Sequence, residues 1–436
     1  MTPAFSSRRL ALLAALASSV LLAACGGGGG GDGPGNTNLR AINLTTDLPS
    51  LDLFTGDTRR FTALVTDTVA ASVSLEANTY TLNVKKAGDG ATLLTGSYTL
   101  AKDQNYTAVV WGTETALRVS TLPENENTGD IAAGNTRVRF FNATTDTGTV
   151  DVFITKSTSN LGAVLPTQAR LTSGSLSGFR DLSQGTYRLV VTGEGNPNDV
   201  RLDIPSITLK EKSYATLVLT AGASGVLVNG TLIEQQGTTV ALKNGKARVR
   251  LAAGVNDAAT VAATVGSVTV SGAVASPRVG GYVLVSAGTA NLNVRVNGGA
   301  PITITQAFAE GGDYTVLAHG TAAAPTVKLL SDDNRLPSVN TRAKVRLVNG
   351  LQGAGPLTLS LDYQPLQPSD IGVGEASIYY TADSVTASRI EISSLTASLF
   401  TKSGTTSEKL LLPQSVYTVF VLGGSATPFG EFRRDR

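Results

Sequence analysis

One sequence pattern occurs four times in this chain of 436 residues, at intervals of 99, 111 and 96 residues. Each copy opens with an apolar residue, an arginine and two further apolar or small residues, and three copies then have asparagine. The four copies are Leu39–Asn43, Val138–Asn142, Val249–Ala253 and Val345–Asn349. An internal repeat of this length constrains the fold more than any other feature. It predicts four similar domains, which fits the length of the chain.

Each copy also closes in the same way, with a short apolar strand, a polar turn and a tyrosine that opens a second apolar strand. These tyrosines are Tyr106, Tyr214, Tyr314 and Tyr417. We interpret each pair of closing strands as a hairpin. Short runs of apolar residues separated by turn residues indicate six to eight strands per copy, and no window has a long helical period. The fold class predicted is therefore all-β, with tandem antiparallel sandwiches of the immunoglobulin-like type.

The repeats and changes in composition divide the chain into seven segments. Short polar linkers between the copies predict semi-rigid neighbours arranged as a rod. The end of the chain has three arginines, and we expect a frayed terminus there, with contact to acidic lipid or polymer as the alternative. The segments are a signal peptide (1–24), a lipidated cysteine with a glycine-rich tether (25–37), four sandwich repeats (38–130, 135–240, 246–334, 341–425) and a basic tail (426–436).

The first 25 residues have the pattern of a bacterial lipoprotein precursor. Arg8 and Arg9 precede an apolar run of 13 residues, which as a helix is roughly 20 Å long and too short to span a bilayer comfortably. The run ends in a sequence that resembles the lipobox, in which lipid is attached to the cysteine before cleavage: Leu22, Ala23, Ala24 and Cys25. The alternative is an ordinary secretory signal that leaves Cys25 as a free thiol.

The residues after Cys25 predict how the protein is held. Several acyl chains would anchor Cys25 stably in a lipid bilayer. By resemblance to enteric lipoproteins, Gly26 in place of aspartate favours the outer membrane, on its periplasmic or surface face. The glycine run from Gly26 to Gly31 has no lysine or strand-to-helix context for a phosphate-binding loop, so we interpret it as a flexible tether.

Charge and cysteine content exclude several classes of function. Without the signal peptide, basic and acidic residues are equal in number, at 33 each, so no field favours nucleic acid or steers a charged substrate. A chain with one cysteine forms no internal disulfide, so burial alone must stabilise each domain.

Few residues are candidates for chemistry. His319 is the only histidine, no nucleophile elbow is present, and we interpret it as a histidine at a strand end. The linker residues Asp332, Asp333 and Asn334 are weak candidates for calcium, which prefers several oxygen ligands from a flexible loop. Weaker still are Asp146 with Asp151, and Asn196 with Asn198 and Asp199. No cofactor is predicted.

The recurrent arginines and tyrosines have structural interpretations. Each arginine is expected to point outward from a first strand and to pair with a neighbouring acid at the surface, although a repeated ligand site is the alternative; the four are Arg40, Arg139, Arg250 and Arg346. Each recurrent tyrosine is similar in position to a tyrosine corner, in which the ring packs inward and the hydroxyl bonds the backbone. A stacking platform for sugars is the alternative for the tyrosines.

These motifs resemble a known family. The valine-arginine opening with its asparagine, the strand Val150–Phe153, the Gly185–Tyr187 step and the closing tyrosine strand look like domain-of-unknown-function family 4397. The resemblance covers residues 38 to 425 and is strongest in the second copy. It implies an exported, often lipidated protein of β-sandwich form, and it supplies no catalytic motif.

We therefore expect a non-enzymatic lipoprotein of the cell envelope whose modules act as a spacer or binding scaffold. Its partners would be the bilayer and a cell-envelope protein or polysaccharide, and no nucleic acid. The alternative function is a surface adhesin or glycan-binding protein that uses loops at one end of the sandwiches.

Overall fold

The computed structural model describes residues 35–436 except 157–158, 367–369 and 386–387. The signal peptide, the lipobox, Cys25 and nearly all of the tether lie outside these ranges. Among the described helices, none has the length and hydropathy of a membrane span. Three short 3-10 helices, each of three residues, interrupt a chain that is otherwise built from strands and turns: Glu114–Ala116, Thr128–Asp130 and Leu161–Ala163.

Modules 1 and 2 contain the first seventeen described strands. Those of module 1 are β1 (Asn36–Thr45), β2 (Ser50–Thr55), β3 (Thr58–Val65), β4 (Val73–Glu76), β5 (Asn78–Lys86), β6 (Thr92–Leu100), β7 (Asn105–Gly112) and β8 (Arg118–Pro123). Those of module 2 are β9 (Asn135–Asn142), β10 (Val150–Thr155), β11 (Gln168–Leu171), β12 (Arg180–Ser183), β13 (Gly185–Gly193), β14 (Asn196–Leu209), β15 (Tyr214–Ala221), β16 (Val228–Glu234) and β17 (Thr239–Leu242).

Modules 3 and 4 repeat this order. Module 3 has β18 (Lys246–Ala253), β19 (Thr260–Val265), β20 (Val268–Ala275), β21 (Arg278–Val279), β22 (Val283–Ser286), β23 (Gly288–Val296), β24 (Ile302–Phe308), β25 (Asp313–Gly320) and β26 (Pro325–Asp332). Module 4 has β27 (Arg342–Gln352), β28 (Thr358–Leu361), β29 (Gln364–Pro365), β30 (Glu375–Ala376), β31 (Tyr380–Asp383), β32 (Arg389–Ser393), β33 (Ser398–Ser403), β34 (Ser415–Gly424) and β35 (Phe429–Arg434).

Each module is a sandwich of two sheets, which confirms the predicted fold class. In module 1 the first sheet has the order β4-β1-β7-β8 and the second sheet β3-β2-β5-β6, and the other modules follow the same plan. The opening strand runs parallel to the closing strand that follows the tyrosine, whereas the other named pairings are antiparallel. Leu39 lies beside Tyr106 and Tyr106 beside Pro123, so module 1 begins and ends at the same end of the sheet.

The predicted closing hairpins are wrong. β6 belongs to the second sheet and β7 to the first, and the same change of sheet separates β14 from β15 and β24 from β25. In module 4 the run Leu410–Leu412 is not a strand at all. The tyrosine therefore marks a crossing between the two layers, because both strands have an apolar face turned to the same core from opposite sides.

The core of each module lies between its two sheets, and two further apolar layers lie between modules. The first of these joins modules 1 and 2 through the outer faces of their first sheets, where the rings of Trp111 and Phe141 meet edge to face at 5.6 Å. The second joins modules 3 and 4 in the same way and contains Leu317, Val348 and Phe420. The modules thus form two face-to-face pairs.

This arrangement differs from the predicted rod. The pairs also touch one another, since the Ser224 hydroxyl of module 2 donates to the Gly311 carbonyl of module 3 at 2.6 Å. The linker between modules 1 and 2 is fixed as well, because Gln236 donates to the carbonyl of Glu124 at 2.7 Å. The outer face of each first sheet is apolar and is covered by the paired module, so the linker within each pair turns back instead of running straight.

The end of the chain is part of the fold, and the expectation of a frayed basic tail is wrong. β35 pairs with β34 from Tyr417 to Leu422 and completes the first sheet of module 4. Arg433 donates to the carbonyl of Val279 at 3.1 Å, which ties this strand to module 3. The fourth repeat therefore extends through Arg434, beyond the predicted boundary at residue 425.

Candidate functional site between the modules

The four repeated arginines lie in the layers between paired modules. On each opening strand, alternate residues point into the module's own core, and the arginine shares the opposite face with residues such as Ile42 and Val348. The arginines are between 0 and 7% exposed. They do point outward from their own modules, as predicted, but a second module covers them. The expectation of surface ion pairs is therefore wrong.

The repeated arginines of modules 3 and 4 each form an ion pair with an aspartate of the other module. Arg250 of module 3 forms an ion pair with Asp435 of module 4, and Arg346 of module 4 pairs with Asp332 of module 3. Each guanidinium also donates through Nε to a threonine of its own closing strand, at 2.8 Å for Thr315. The Tyr282 hydroxyl donates to Asp332 at 2.5 Å. The result is a closed network of buried charges that holds one module against the other.

Modules 1 and 2 use the same geometry with more backbone acceptors. Arg40 forms an ion pair with Glu124 at 2.6 Å and donates to the carbonyl oxygens of Glu234 and Gly237 in module 2. Arg139 donates to the Pro123 carbonyl of module 1 at 2.8 Å. Phe179 lies against Arg139, with the guanidinium carbon 4.7 Å from the ring centroid. Each arginine thus crosses to the partner module.

Charge pairing governs the protonation of this layer. Burial alone would raise the pKa of Asp332, but Arg346 and Arg250 outweigh it and hold that pKa below its usual value. Burial opposes the charge on Arg250 too, yet Tyr282, Asp435 and Asp332 raise the pKa of its guanidinium. Both groups therefore stay ionised, and removing one partner would leave a buried charge uncompensated.

The recurrent tyrosines form the predicted corner in three modules. The hydroxyl of Tyr314 accepts a hydrogen bond from the Ala309 N–H at 2.9 Å, five residues earlier. Tyr106 and Tyr417 accept equivalent bonds at 3.3 and 3.0 Å. Tyr214 instead accepts from the Arg137 guanidinium at 2.8 Å. The sugar-stacking alternative does not fit Tyr214, Tyr314 or Tyr417, because these residues are buried.

A cleft of about 760 Å³ lies where modules 2, 3 and 4 meet. One wall comes from Ser224 of module 2, another from Tyr314 and Ser331 of module 3, and the third from module 4. Its charged lining residues are three acids and three bases: Asp313, Asp332, Asp333, Arg335, Lys344 and Arg346. A volume of this size suits a small ligand or one segment of a polymer.

Tyr379 is the residue of the cleft whose bonding is incomplete. Its ring lies against Arg346, 4.6 Å from the guanidinium carbon, and against Lys344 at 4.8 Å. Its hydroxyl is shielded from solvent and has no hydrogen-bond partner among the residues that the structure describes. Burial raises the pKa of this hydroxyl, so it remains a neutral donor. Buried polar groups are almost always paired, and an unpaired one in a cleft indicates a place for a ligand.

The calcium candidates Asp332, Asp333 and Asn334 lie at this cleft, where protein donors occupy the oxygens of the two aspartates, whereas Asn334 Oδ1 has no hydrogen-bond partner among the described residues. Asp332 accepts from Arg346, Tyr282 and Thr315, and Asp333 pairs with Arg335 at 2.8 Å and with Lys344 at 3.0 Å. Asn334 directs its amide to Asp313. No group of three or more acidic, histidine or cysteine side chains suited to a metal occurs among the described residues. Calcium binding by these three residues stays a prediction.

His319 lies in the layer between modules 3 and 4, against Gly350 and Gly374. It is buried, and neither ring nitrogen has a hydrogen-bond partner in the described part of the chain. Burial and the nearby Lys328 lower the pKa of its imidazole. A catalytic histidine needs a nucleophile or an acid within hydrogen-bond reach, and His319 has neither there.

A smaller cavity of about 240 Å³ is lined by a sequence motif that the first two copies share and that was not predicted to form a site. The Thr-Thr-Asp sequence that follows each of the first two opening strands lines it from two sides, ending in Asp47 and Asp146, and Arg335 comes from the third linker. Burial raises the pKa of Asp146, which Arg436 and Arg335 partly offset. The structure thus brings Asp146 towards Asp47 of the neighbouring module. Asp151 does not line this cavity, and its carboxylate accepts hydrogen bonds from the N–H groups of Arg170 and Gly195.

Comparison with known proteins identifies a family that matches this chain. Residues 37–153 and 247–360 match the model of a domain of unknown function, DUF4397, over just more than half of the chain. Each match begins on the opening strand of an odd module and ends on the second strand of an even one. Both arginines of a pair therefore lie within each match. No protein of curated function matches the chain.

Two solved structures show weak likeness. One is a family 26 carbohydrate-binding module of Eubacterium rectale Amy13K in complex with maltoheptaose, with 12% identity, covering 47% of this chain and 95% of that one, at a TM-score of 0.15. The other is a protein of Bacteroides ovatus whose description names cell adhesion, with 13% identity, 46% and 96% coverage and a TM-score of 0.19. At these TM-scores neither likeness carries an argument about this chain.

Proposed function

The chain belongs to the family of domains of unknown function DUF4397, and from this premise we propose that it is a non-enzymatic, membrane-anchored binding scaffold of the bacterial cell envelope. The observation that carries the proposal is the cleft of about 760 Å³, whose walls come from three modules held in place by buried inter-module contacts. No single module possesses this cleft. Three of the four repeats thus combine to build one site, and the ligand would bind there.

The anchor rests on the sequence of the first 25 residues. A charged start, a short apolar run and the lipobox Leu22-Ala23-Ala24-Cys25 support lipid attachment at Cys25. The outer membrane is the proposed location. Replacing Cys25 with serine should release a folded protein from membranes and abolish incorporation of radiolabelled palmitate. A variant that stays with the membrane fraction would refute the anchor.

A binding role without catalysis is supported by the chemistry of the cleft. The charged residues of its described lining form ion pairs, as Asp333 does with Arg335 and Lys344, and a paired carboxylate is a poor general base. The remaining lining residues are serine, threonine and tyrosine, which supply hydroxyls, together with alanine, glycine and isoleucine. Such a surface orients a polar ligand through hydrogen bonds.

A saccharide is the second, more specific candidate ligand, and one observation favours it. The Tyr379 hydroxyl needs a hydrogen-bond acceptor, and Ser331 and Thr381 offer further hydroxyls along the same cleft. A neutral molecule with many hydroxyl groups satisfies such partners without bringing in charge. The glycan-binding and adhesin functions would both use the cleft in this way.

The test is binding to a panel of purified envelope and host polysaccharides, measured by calorimetry. Thr381 lies at the exposed edge of the cleft, so Thr381→Trp should fill its mouth and reduce affinity at least tenfold. The matched control is Leu395→Trp, at a position that is 89% exposed and outside the cleft, and it should bind normally. Equal binding by both variants would refute the cleft as the site.

A further inference from the structure

A second cavity, of about 580 Å³, lies on another side of the junction between modules 2, 3 and 4. Four arginines from three modules line it: Arg201, Arg248, Arg434 and Arg436. The carboxylates in its lining are Asp199 and Asp435. Nothing in the proposed function uses this cavity, which shares no lining residue with the cleft.

The acids near the cavity are already committed to other cations. Asp199 pairs with Arg201 at 2.8 Å, and Asp435 pairs with the buried Arg250. Arg248 is neutralised by a carboxylate outside the lining, Asp313, through two hydrogen bonds of 2.8 and 2.5 Å. After these pairings, no acid of the lining remains for the other two arginines.

Arg434 and Arg436 therefore carry the excess charge of the pocket. Arg434 donates its Nε to the backbone oxygen of Arg436 at 3.1 Å. Arg436 donates Nη1 to the carbonyl oxygens of Gly225 and Asn334, at 2.5 and 3.2 Å. Within the described residues, neither guanidinium forms an ion pair with an aspartate or glutamate side chain.

The Arg436 side chain is the clearest sign of a missing partner. The residue is half-buried as a whole, but its Nη2 atom is excluded from solvent and has no hydrogen-bond partner in the described part of the chain. Burial, with Arg201 and Arg248 nearby, lowers the pKa of this guanidinium to about 10, and Asp146 and Asp313 offset only part of this change. An unpaired buried charge is costly, and an anion in the adjacent cavity would compensate it.

We propose that this pocket binds an oxyanion group, a phosphate, sulfate or carboxylate, through Arg436 and Arg434. Planar guanidinium groups hold oxyanions by paired hydrogen bonds, which a chloride ion does not reproduce. The cavity has more room than an inorganic ion requires, and Asn196 and Asn198 add amides to its lining. An acidic group carried on a polar body, such as a sugar acid, fits both features.

The experiment measures anion binding by the full-length protein in detergent, at constant ionic strength so that screening does not change. Sulfate, inorganic phosphate and D-glucuronate are each titrated against chloride. Binding to the folded state raises the melting temperature in a saturable way. Phosphate or sulfate binding alone would identify a free inorganic oxyanion, whereas tighter binding of glucuronate would identify an acidic sugar.

Variants separate binding from folding. Arg436→Met should weaken anion binding at least tenfold, because it removes the guanidinium that faces the anion. Arg434→Gln, at an exposed position, should weaken binding with no effect on folding. Arg295→Met, an exposed arginine outside the pocket, is the matched control and should bind like the wild type.

Two results would overturn the proposal. One is that no oxyanion raises the melting temperature more than chloride does. The other is that Arg434→Gln and Arg436→Met both keep wild-type affinity. Binding at the 760 Å³ cleft is scored separately through Thr381→Trp, so failure of either site leaves the other intact.

Discussion

Arg250 of module 3 and Asp435 of module 4 form a two-point ion pair in which both side chains are fully buried, with Nη2 3.1 Å from Oδ2. The residues are 185 positions apart in sequence. Their pairing makes the stability of module 3 depend on the last strand of module 4. The modules are repeats in sequence, but we expect the two modules of a pair to unfold together as one cooperative unit.

The first prediction concerns this ion pair. Arg250→Met leaves Asp435 buried beside Thr418 without its cation, so the free energy of unfolding should fall by about 3–5 kcal/mol. Chemical denaturation measures the change, and Arg295→Met should alter it by less than about 0.5 kcal/mol. In the double variant Arg250→Met with Asp435→Leu, much of the loss should be recovered. Additive losses would show that the two residues are not coupled.

The second prediction concerns the asparagine that closes three of the four motifs. Asn142 donates to the buried carbonyls of Gly148 and Leu171, at 3.2 and 3.1 Å, and so holds the loop after the opening strand. Asn142→Ala removes both of these hydrogen bonds and should cost about 1–3 kcal/mol of stability. Exposed Asn291, which accepts a bond from Thr305, is the control for substitution by alanine. Equal effects of the two substitutions would contradict this role.

The third prediction is a pH dependence from His319. Its folded-state pKa lies below the unfolded value of about 6.5, so the unfolded chain binds the proton more readily. Stability should therefore be unaffected by His319 above that pH and should fall as the pH drops below it, with a slope of up to about 1.4 kcal/mol per unit. Denaturation midpoints at pH 7.5 and 5.0 measure the effect. His319→Leu should show a smaller difference than the wild type, and an identical difference would exclude His319 as the source.

The fourth prediction concerns the unpaired hydroxyl of Tyr379. In the free protein, Tyr379→Phe removes a buried donor that has no acceptor, so the free energy of unfolding should rise by about 1 kcal/mol. The same substitution should weaken ligand binding in the cleft. Tyr314→Phe is the contrasting variant, because its hydroxyl accepts from the Ala309 N–H and its loss should destabilise the protein. Destabilisation by Tyr379→Phe would show that this hydroxyl is satisfied in the free state.

Sequence reasoning predicted the β-sandwich and the repeat because strands, turns and the tyrosine corner depend on local residues. It placed Arg40 and Arg346 on the correct face but at the surface, since an arginine is normally exposed. The missed signal was in the neighbouring residues. Ile42 and Leu44 are apolar on the arginine face as well, and a strand with two apolar faces is buried on both sides. That pattern indicates a covering module, although it does not identify which one.

The cleft and the arginine pocket could not be predicted in the same way. Their walls combine residues such as Ser224, Arg201 and Arg436, which are far apart in sequence and have no shared motif. Only the packing of module 2 against modules 3 and 4 brings them together. The sequence indicated Asp332 as one of a group of oxygen ligands. Its arginine partners come from two opening strands, so its structural role follows only from the packing of module 3 against module 4.

The parallel pairing of opening and closing strands has a consequence for how modules can be added to such proteins. Since Leu39, Tyr106 and Pro123 are neighbours across one sheet, the chain enters and leaves module 1 at the same pole, and Val249, Tyr314 and Ser331 repeat this in module 3. A segment with adjacent ends can be spliced into a host chain without displacing what surrounds it. Duplication of a complete pair, with its two arginines and their acceptors, lengthens the protein while leaving no cation stranded. The unit that can be duplicated is therefore a pair of sandwiches.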